Sequence, residues 1–290
     1  MRIKHLAWAM ALAAAALAPL GADAATATFP KATSAGPPQF DDRDFLAEAV
    51  ASPARAPENR ARDPWRHPEE SLVFWGLRPG DVILEIQPGG GYWTEILVPF
   101  VKAVGGRYIA TGADLKDPTI PDRVRQSRAA FEAKYGVETV DFGPSSGPLA
   151  PPGTVDFILT ARNLHDWMGR PGWVDKTLAD AYAALKPGGV LAVEEHRADP
   201  RPMKPDAPDG YVSEQYVIAA AQKAGFRLDG RSEINANPKD SKDHPFGVWT
   251  LPPTRRSAPQ GQPPDPSFDH AKYDAIGESD RMTLRFVKPR

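Results

Sequence analysis

Three short stretches of the chain concentrate residue types that can do chemistry. The first is EIQPGGGYWTEIL, Glu85 to Leu97, where an apolar run passes through a carboxylate into a glycine turn and then a helical pattern. A glycine turn between a buried strand and a helix lets the backbone approach a ligand at the helix amino end, where unpaired amides point outward. The second is Arg162-Asn163-Leu164-His165-Asp166-Trp167, six positions holding a cation, an amide, an imidazole, a carboxylate and an indole. Asn163, His165 and Asp166 are the candidate catalytic residues. His165 can take a proton near neutral pH, with its tautomer set by a neighbouring carboxylate. The same residues also read as a helix cap, with Trp167 filling the core. The third stretch is Glu194-Glu195-His196, which together with Asp166 offers oxygen and imidazole ligands for a divalent cation. No fixed ligand spacing is present, which favours solvated carboxylates with His196 paired to one of them. His67, in WRHPEE, reads as a flap over a ligand or as a helix start with Pro68 in the first turn. Tyr92 and Trp167 fall in ligand-facing loops and suggest an apolar pocket wall.

These stretches need a scaffold, and the hydrophobic pattern describes one. Strands are predicted over Val82–Ile86, Arg107–Thr111, Glu138–Phe142, Val155–Thr160, Val190–Glu194, Phe226–Ile234 and Arg281–Val287. Between them lie helical stripes: Trp93, Ile96, Leu97, Phe100, Val101 and Val104; Pro121 to Tyr135; Val174, Leu178, Ala181, Tyr182 and Leu185; and Val217, Ala220, Ala221 and Ala224. This alternation predicts an α/β fold: a doubly wound, Rossmann-like, mostly parallel seven-stranded sheet with an antiparallel last strand. Such sheets bind ligands at the carboxyl ends of their strands, where all three stretches fall. Gly143 to Thr154 is too short and broken for a crossover helix. The last strand is expected antiparallel beside the preceding one, after a turn-rich insertion over 235–278.

The chain has 290 residues, 41% hydrophobic and 25% charged, which suits one large folded domain. Lys and Arg number 35 against 37 Asp and Glu, so no broad basic surface for nucleic acid is implied. Cysteine is absent, which excludes disulfides, thiolate catalysis and thiolate metal centres. Arg2 and Lys4, an apolar run from Leu6 to Leu20, and Ala22-Asp23-Ala24 read as a cleaved signal peptide over residues 1–24. The run is shorter than the roughly 20 residues that span a bilayer, so no stable membrane insertion is expected after cleavage. A flexible leader over 25–40 and the domain over 41–290 follow, with a periplasmic or secreted location expected.

The glycine turn after a strand, taken with LKPGGVLAVEEH, resembles the class I S-adenosylmethionine-dependent methyltransferases over roughly Pro68 to Phe226 plus the final strand. DPWRHPEESLVFWGLRPGD, ARNLHDW and GESDRMTLRFVKP together look like a group of secreted bacterial methyltransferase-like proteins. The ARN and LKPGG segments also resemble, more distantly, the ubiquinone/menaquinone C-methyltransferases. The resemblance implies S-adenosylmethionine as cofactor and a small-molecule methyl acceptor. It puts Glu85, Gly89 and Gly91, with Gln87 and Tyr92 in the same turn, at the cofactor's amino-acid end. Asp141 and Phe142 fall near the adenine, and Asn163 faces the methyl group. Gln87 departs from the family by replacing the first glycine, and Gly112 by standing where an acid usually holds the ribose; Asp114 follows two residues later. These departures keep two alternatives open: a cofactor-free binding module on the same fold, and a metal-assisted enzyme using Asp166, Glu195 and His196.

Overall fold

The computed structural model describes residues 43–290 apart from 201 and 204, so the expected signal segment and the whole expected leader lie outside the described residues. Helix α1 (Arg43–Ala51), two single-turn helices α2 (Pro57–Arg60) and α3 (Asp63–Arg66), and α4 (Pro68–Trp75) precede the sheet. Pro57, Pro64 and Pro68 each stand at the first or second position of their helix, where a missing amide costs nothing. The core units follow as β1 (Val82–Ile86), α5 (Thr94–Val104), β2 (Arg107–Ala113), α6 (Asp122–Tyr135), β3 (Thr139–Phe142) and β4 (Val155–Ala161). Next come α7 (Leu164–Met168), α8 (Trp173–Ala184), β5 (Leu185–His196), α9 (Glu214–Lys223) and β6 (Arg227–Ser232). A 3-10 turn at Gly247–Thr250, α10 (Ala271–Ile276) and β7 (Arg281–Val287) complete the chain. Among the described residues no helix is long and apolar enough to cross a membrane.

The strands form one sheet in the order β3-β2-β1-β4-β5-β7-β6. β1 to β5 pair in parallel, while β7 runs antiparallel to both of its neighbours. β7 thus lies beside β6 as the sequence suggests, but it is wedged between β5 and β6 and leaves β6 at the edge. Successive residues of a strand face opposite sides, and the two cores obey this rule. Ile83, Phe157 and Leu159 pack with Ile96, Leu97, Phe100, Leu72 and Trp75 on one face. Leu84, Ile86 and Ile158 pack with Leu164, Trp167, Val174 and Leu178 on the other. Pro99 sits within α5 without ending it, because the apolar stripe stays in phase on both sides. No helix occupies Gly143–Thr154.

One boundary differs in a way that matters. β5 does not stop at Glu194 but continues to His196, paired with Thr283, Met282 and Arg281 of β7. Glu194, Glu195 and His196 are therefore buried within a strand rather than solvated after it. The antiparallel cover from β7, which an apolar-run reading of β5 does not see, is the cause.

Candidate functional site

Strand order reverses between β1 and β4, and the crevice beyond their carboxyl ends is the expected ligand position. Two clefts open there. The larger, of about 600 Å³, is lined by Gln87, Gly89, Asp114, Phe131, Phe142 and Trp173 among others. The smaller, of about 260 Å³, is lined by Arg62, Arg66, Tyr92, Arg162, His165, His196, Trp249 and Glu278 among others. Gln87, Pro88, Gly89, Asn163 and Asp166 belong to both walls, so the clefts meet at the glycine turn and the start of α7.

The turn itself is built from backbone that only some residues adopt. Gly89 has φ +57° and a Cβ added there would meet nothing within 4 Å, which leaves the main chain open to the clefts. Gly91, at φ +87°, is different. An added Cβ would lie 2.2 Å from Tyr135 Oη, and the residue lines neither cleft. Close approach of α6, not of a ligand, is what this position demands. Gln87 takes the left-handed conformation at φ +48°, donates its amide to Thr111 Oγ1 at 2.8 Å and accepts from the Trp167 indole through its side chain. Trp167 is fully buried in the core and does not line an acceptor pocket. Glu85 is buried beneath the turn, accepting from Tyr108 Oη at 2.6 Å and Thr94 Oγ1 at 2.9 Å. Burial lifts its pKa to about 7 against those two bonds.

Gly112 stands where the resemblance expects an acid, and its surroundings leave no room for one. A side chain there would collide with Arg128, whose Cδ and Nε would lie 2.8 Å from the added carbon. Arg128 crosses that space to bond the carbonyls of Ala113 and Thr139 and the Asp141 carboxylate at 2.5 Å. Asp141 is therefore committed to Arg128, which holds it below the usual carboxylate range, and it does not line the larger cleft, although its neighbour Phe142 does. Asp114, two residues on, is an acid that does line this cleft. It is buried in the cleft wall, its Oδ1 accepts the Lys116 amide at 3.0 Å, and its Oδ2 has no partner among the described residues.

At the start of α7, Asn163 donates to Ile86 O at 2.9 Å and Thr160 Oγ1 at 3.0 Å, tying the β1 turn to β4 while lining both clefts. Glu195 organises the rest. Its Oε2 accepts the Leu164 amide at 2.6 Å and that of His165 at 3.4 Å, and its Oε1 accepts the His196 amide and His165 Nδ1, both at 2.9 Å. A carboxylate at a helix amino end satisfies orphan amides and the dipole together. Both Glu195 oxygens already accept backbone amides, so the pairing assigns the His165 proton to Nδ1 and leaves Nε2, 3.6 Å from Asp166 Oδ1, as the basic atom. Burial alone would lower the His165 pKa, but Glu195 outweighs it and holds the imidazole above its ordinary value of 6.5. Burial raises Asp166. His196, with Nδ1 2.6 Å from Ser279 Oγ, is pushed well below the ordinary range by burial and by the neighbouring His165.

His165, Glu195 and His196 bring ligand atoms within 4.8 Å of one another, which resembles a cation site. The donor set does not fit one, because Glu195 already accepts four N–H groups and His196 Nδ1 is bonded to Ser279. Asp166 points its mostly exposed carboxylate at the other side of His165 and is not part of that group. The cation reading of Asp166, Glu195 and His196 is thereby corrected to a hydrogen-bonded acid–imidazole pair. Tyr92 lines the smaller cleft as expected, yet its wall is not apolar: Arg55, Arg62 and Arg66 lie 5.3, 5.7 and 4.4 Å from its ring centroid. Sequence reasoning missed Arg62, Arg66, Arg162 and Glu278 as one group. Arg66, Arg162 and Glu278 stand in stretches singled out for resemblance or chemistry and Arg62 just before one, but no spacing joins residues up to 216 positions apart. The insertion supplies Val248, Trp249, Pro252 and Pro253 to the same wall, with Trp249 5.8 Å from the His165 ring. His67 takes neither expected role fully: it precedes Pro68 of α4 at φ 40°, and its Nδ1 lies 3.3 Å from Asn235 Oδ1 of the insertion.

No family model matches the chain. It is 29% identical over 141 residues to the ubiquinone/menaquinone biosynthesis C-methyltransferase UbiE of Hydrogenovibrio crunogenus, covering 49% of this chain and 52% of that protein. The chain thus spans about half the length of the curated relative it matches. Among solved structures it is similar to the [4+2]-cyclase SpnF, with TM-score 0.50 and 15% identity over 84% of this chain and 92% of that one. It is also similar to a SAM-dependent methyltransferase of Aquifex aeolicus, with TM-score 0.46 and 24% identity over 67% of this chain and 93% of that one. The strand order, the antiparallel β7 and the glycine turn after β1 give this chain the class I S-adenosylmethionine-dependent methyltransferase fold.

Proposed function

We propose that the protein is an S-adenosylmethionine-dependent methyltransferase that acts on a small molecule in the periplasm. The observation that carries this reading is the pair of clefts meeting at Gly89 and Asn163, with the His165–Glu195 pair at the junction. The larger cleft fits the cofactor: its volume lies in the range of small-molecule sites, Gly89 leaves backbone open, Asp114 has a free carboxylate oxygen, and Phe131, Phe142 and Trp173 offer ring faces. Gly89, Asp114 and Phe142 are the residues that would hold it. When bound, S-adenosylmethionine supplies a sulfonium methyl group, a carbon electrophile.

The protein's own part is alignment and proton removal. Gln87 and Asn163 fix the wall between the clefts, so an acceptor in the smaller one is held against the larger. His165 Nε2 takes the proton from the acceptor, and Glu195 stabilises the imidazolium that forms. Only the neutral imidazole can act, so the rate should climb with pH through a His165 pKa above 6.5. Trp249, with Pro252 and Pro253 beside it, walls the smaller cleft and limits water there. Export rests on the Lys4, Leu6–Leu20 and Ala24 pattern, and it agrees with the resemblance to secreted methyltransferase-like proteins.

Calorimetric titration with S-adenosylhomocysteine is the direct test, with one site per chain expected. No binding by folded protein would move the reading to a cofactor-free binding module. Intact mass of protein recovered from the periplasm should begin at or near Ala25, and full-length protein confined to the cytoplasm would remove the export half of the proposal.

A further inference from the structure

The smaller cleft gathers more buried guanidinium N–H groups than the acceptors among the described residues take up. Arg66 is fully buried, bonded through Nε to Glu278 Oε2 at 2.9 Å, and both of its Nη atoms are buried without a partner among the described residues. Arg62 bonds Glu278 Oε1 at 2.6 Å through Nε, and its Nη2 is likewise buried and unpartnered. Among the described residues Arg162 makes no side-chain hydrogen bond or ion pair, and its Nε is buried and unpartnered. Behind them Arg281 bonds Glu278 Oε2 at 2.5 Å and lies 2.7 Å from Glu194. Four arginines therefore share two carboxylates, and the three that line the cleft keep open guanidinium N–H groups. Arg162 is also held at φ +61°, a backbone strain of the kind that concentrates where a side chain must be aimed.

Buried unpaired N–H groups on charged side chains are costly, and forked guanidinium groups match the planar oxygens of a carboxylate or the tetrahedral oxygens of a phosphate. We infer that the smaller cleft binds an oxyanion carried by the methyl acceptor, a carboxylate or a phosphate, through Arg62, Arg66 and Arg162. The word acceptor rests on the methyl-transfer reading; the oxyanion site does not. About 260 Å³ suits a small molecule, and the sides formed by Trp249, Val248 and Pro252 take its uncharged body. The anionic end is thereby anchored in the same cleft that His165 lines, which fixes the orientation of the atom that receives the methyl group.

The test is calorimetry on the mature protein with benzoate, inorganic phosphate and neutral benzamide, each with and without saturating S-adenosylhomocysteine. At least one anion should bind, benzamide should bind at least tenfold more weakly than benzoate if the carboxylate is the ligand, and phosphate alone should bind if it is the phosphate. Arg162→Gln, which removes no side-chain bond among the described residues, should weaken the anion roughly ten- to hundredfold without changing the melting temperature. Arg162→Lys should recover part of the loss, since it restores charge without the fork. Absence of binding by either anion, or affinity unchanged in Arg162→Gln, overturns the inference. Anion binding in a protein that does not take S-adenosylhomocysteine would leave the oxyanion site standing and overturn the methyltransferase reading instead.

Discussion

The larger cleft is walled by backbone, aromatic rings and charges of both signs, Asp114, Asp117, Asp166, Arg128 and Arg170, with Arg128 bonded to Asp141, whereas the smaller concentrates three guanidinium groups, two of them tied to Glu278. The first takes its wall from strand ends, turns and the inner side of α6 between Gln87 and Trp173, consecutive βα units of one sheet. The second gathers Asn59 to Arg66, the end of β4, His196 of β5, the insertion and the residues before β7. This difference separates two tasks. A wall made by strand ends recurs wherever this fold recurs and suits a shared cofactor. A wall assembled from helices and insertions outside the sheet belongs to this chain and suits its particular substrate. His165 stands at the join, held by β5 through Glu195 and facing the second cleft.

The comparison breaks most visibly at Glu195. Glu195→Ala strands four N–H groups in a buried place and should cost about 3–5 kcal/mol in urea denaturation, with α7 loosened and both clefts disturbed. A variant as stable as the parent would show that α7 is held without this carboxylate. Next is His165→Gln, expected to lower turnover roughly 10²–10⁴-fold while S-adenosylhomocysteine affinity stays near the parent value. A destabilised variant with full turnover would return the ring to a packing role. Asp114→Asn sharpens the larger cleft: loss of a charge-assisted bond to the ribose hydroxyls should cost about 1.5–3 kcal/mol in S-adenosylhomocysteine affinity and leave anion binding in the smaller cleft unchanged.

The two glycines of the turn should also divide. Gly91→Ala drives a methyl group into Tyr135 and should cost about 1–3 kcal/mol of stability, whereas Gly89→Val should fold within about 1–2 kcal/mol of the parent yet lose the cofactor. Equal loss of cofactor affinity in both, at equal stability, would erase the distinction. The smallest effect concerns pH. The folded His165 pKa lies above its unfolded value, so the stability its pairing with Glu195 contributes is full below about pH 6.5 and fades as pH rises through the folded pKa. The stability gap between the parent and His165→Gln should narrow over that rise. A gap that widens with pH would mean the ring is buried neutral.

Periodicity carries the sheet: β1 reads as an apolar run interrupted by Glu85 and β7 as the alternation Met282, Leu284, Phe286, so both appear in the sequence with the bounds the structure gives them. The glycine turn and the ARNLHDW segment are visible for the same reason, since each directly follows a strand whose carboxyl end the topology places at the crevice. Three details are hidden: that Gly91 answers to Tyr135, that Gly112 makes way for Arg128, and that Asp141 is spent on that arginine. All three depend on α6, a helix with no buried residue and so little apolar pattern to fix its position.

The amino-acid sequence by itself determined the fold, the turn that opens the main chain at Gly89 and the candidate imidazole at His165, because local backbone freedom and hydrophobic period act over a few residues. Only the tertiary structure decided that Glu195 belongs to His165 and that Arg62, Arg66 and Arg162 converge around Glu278. The charge–charge and hydrogen-bond energies that join them act through space at about 3 Å, between segments whose separation along the chain leaves no periodic trace.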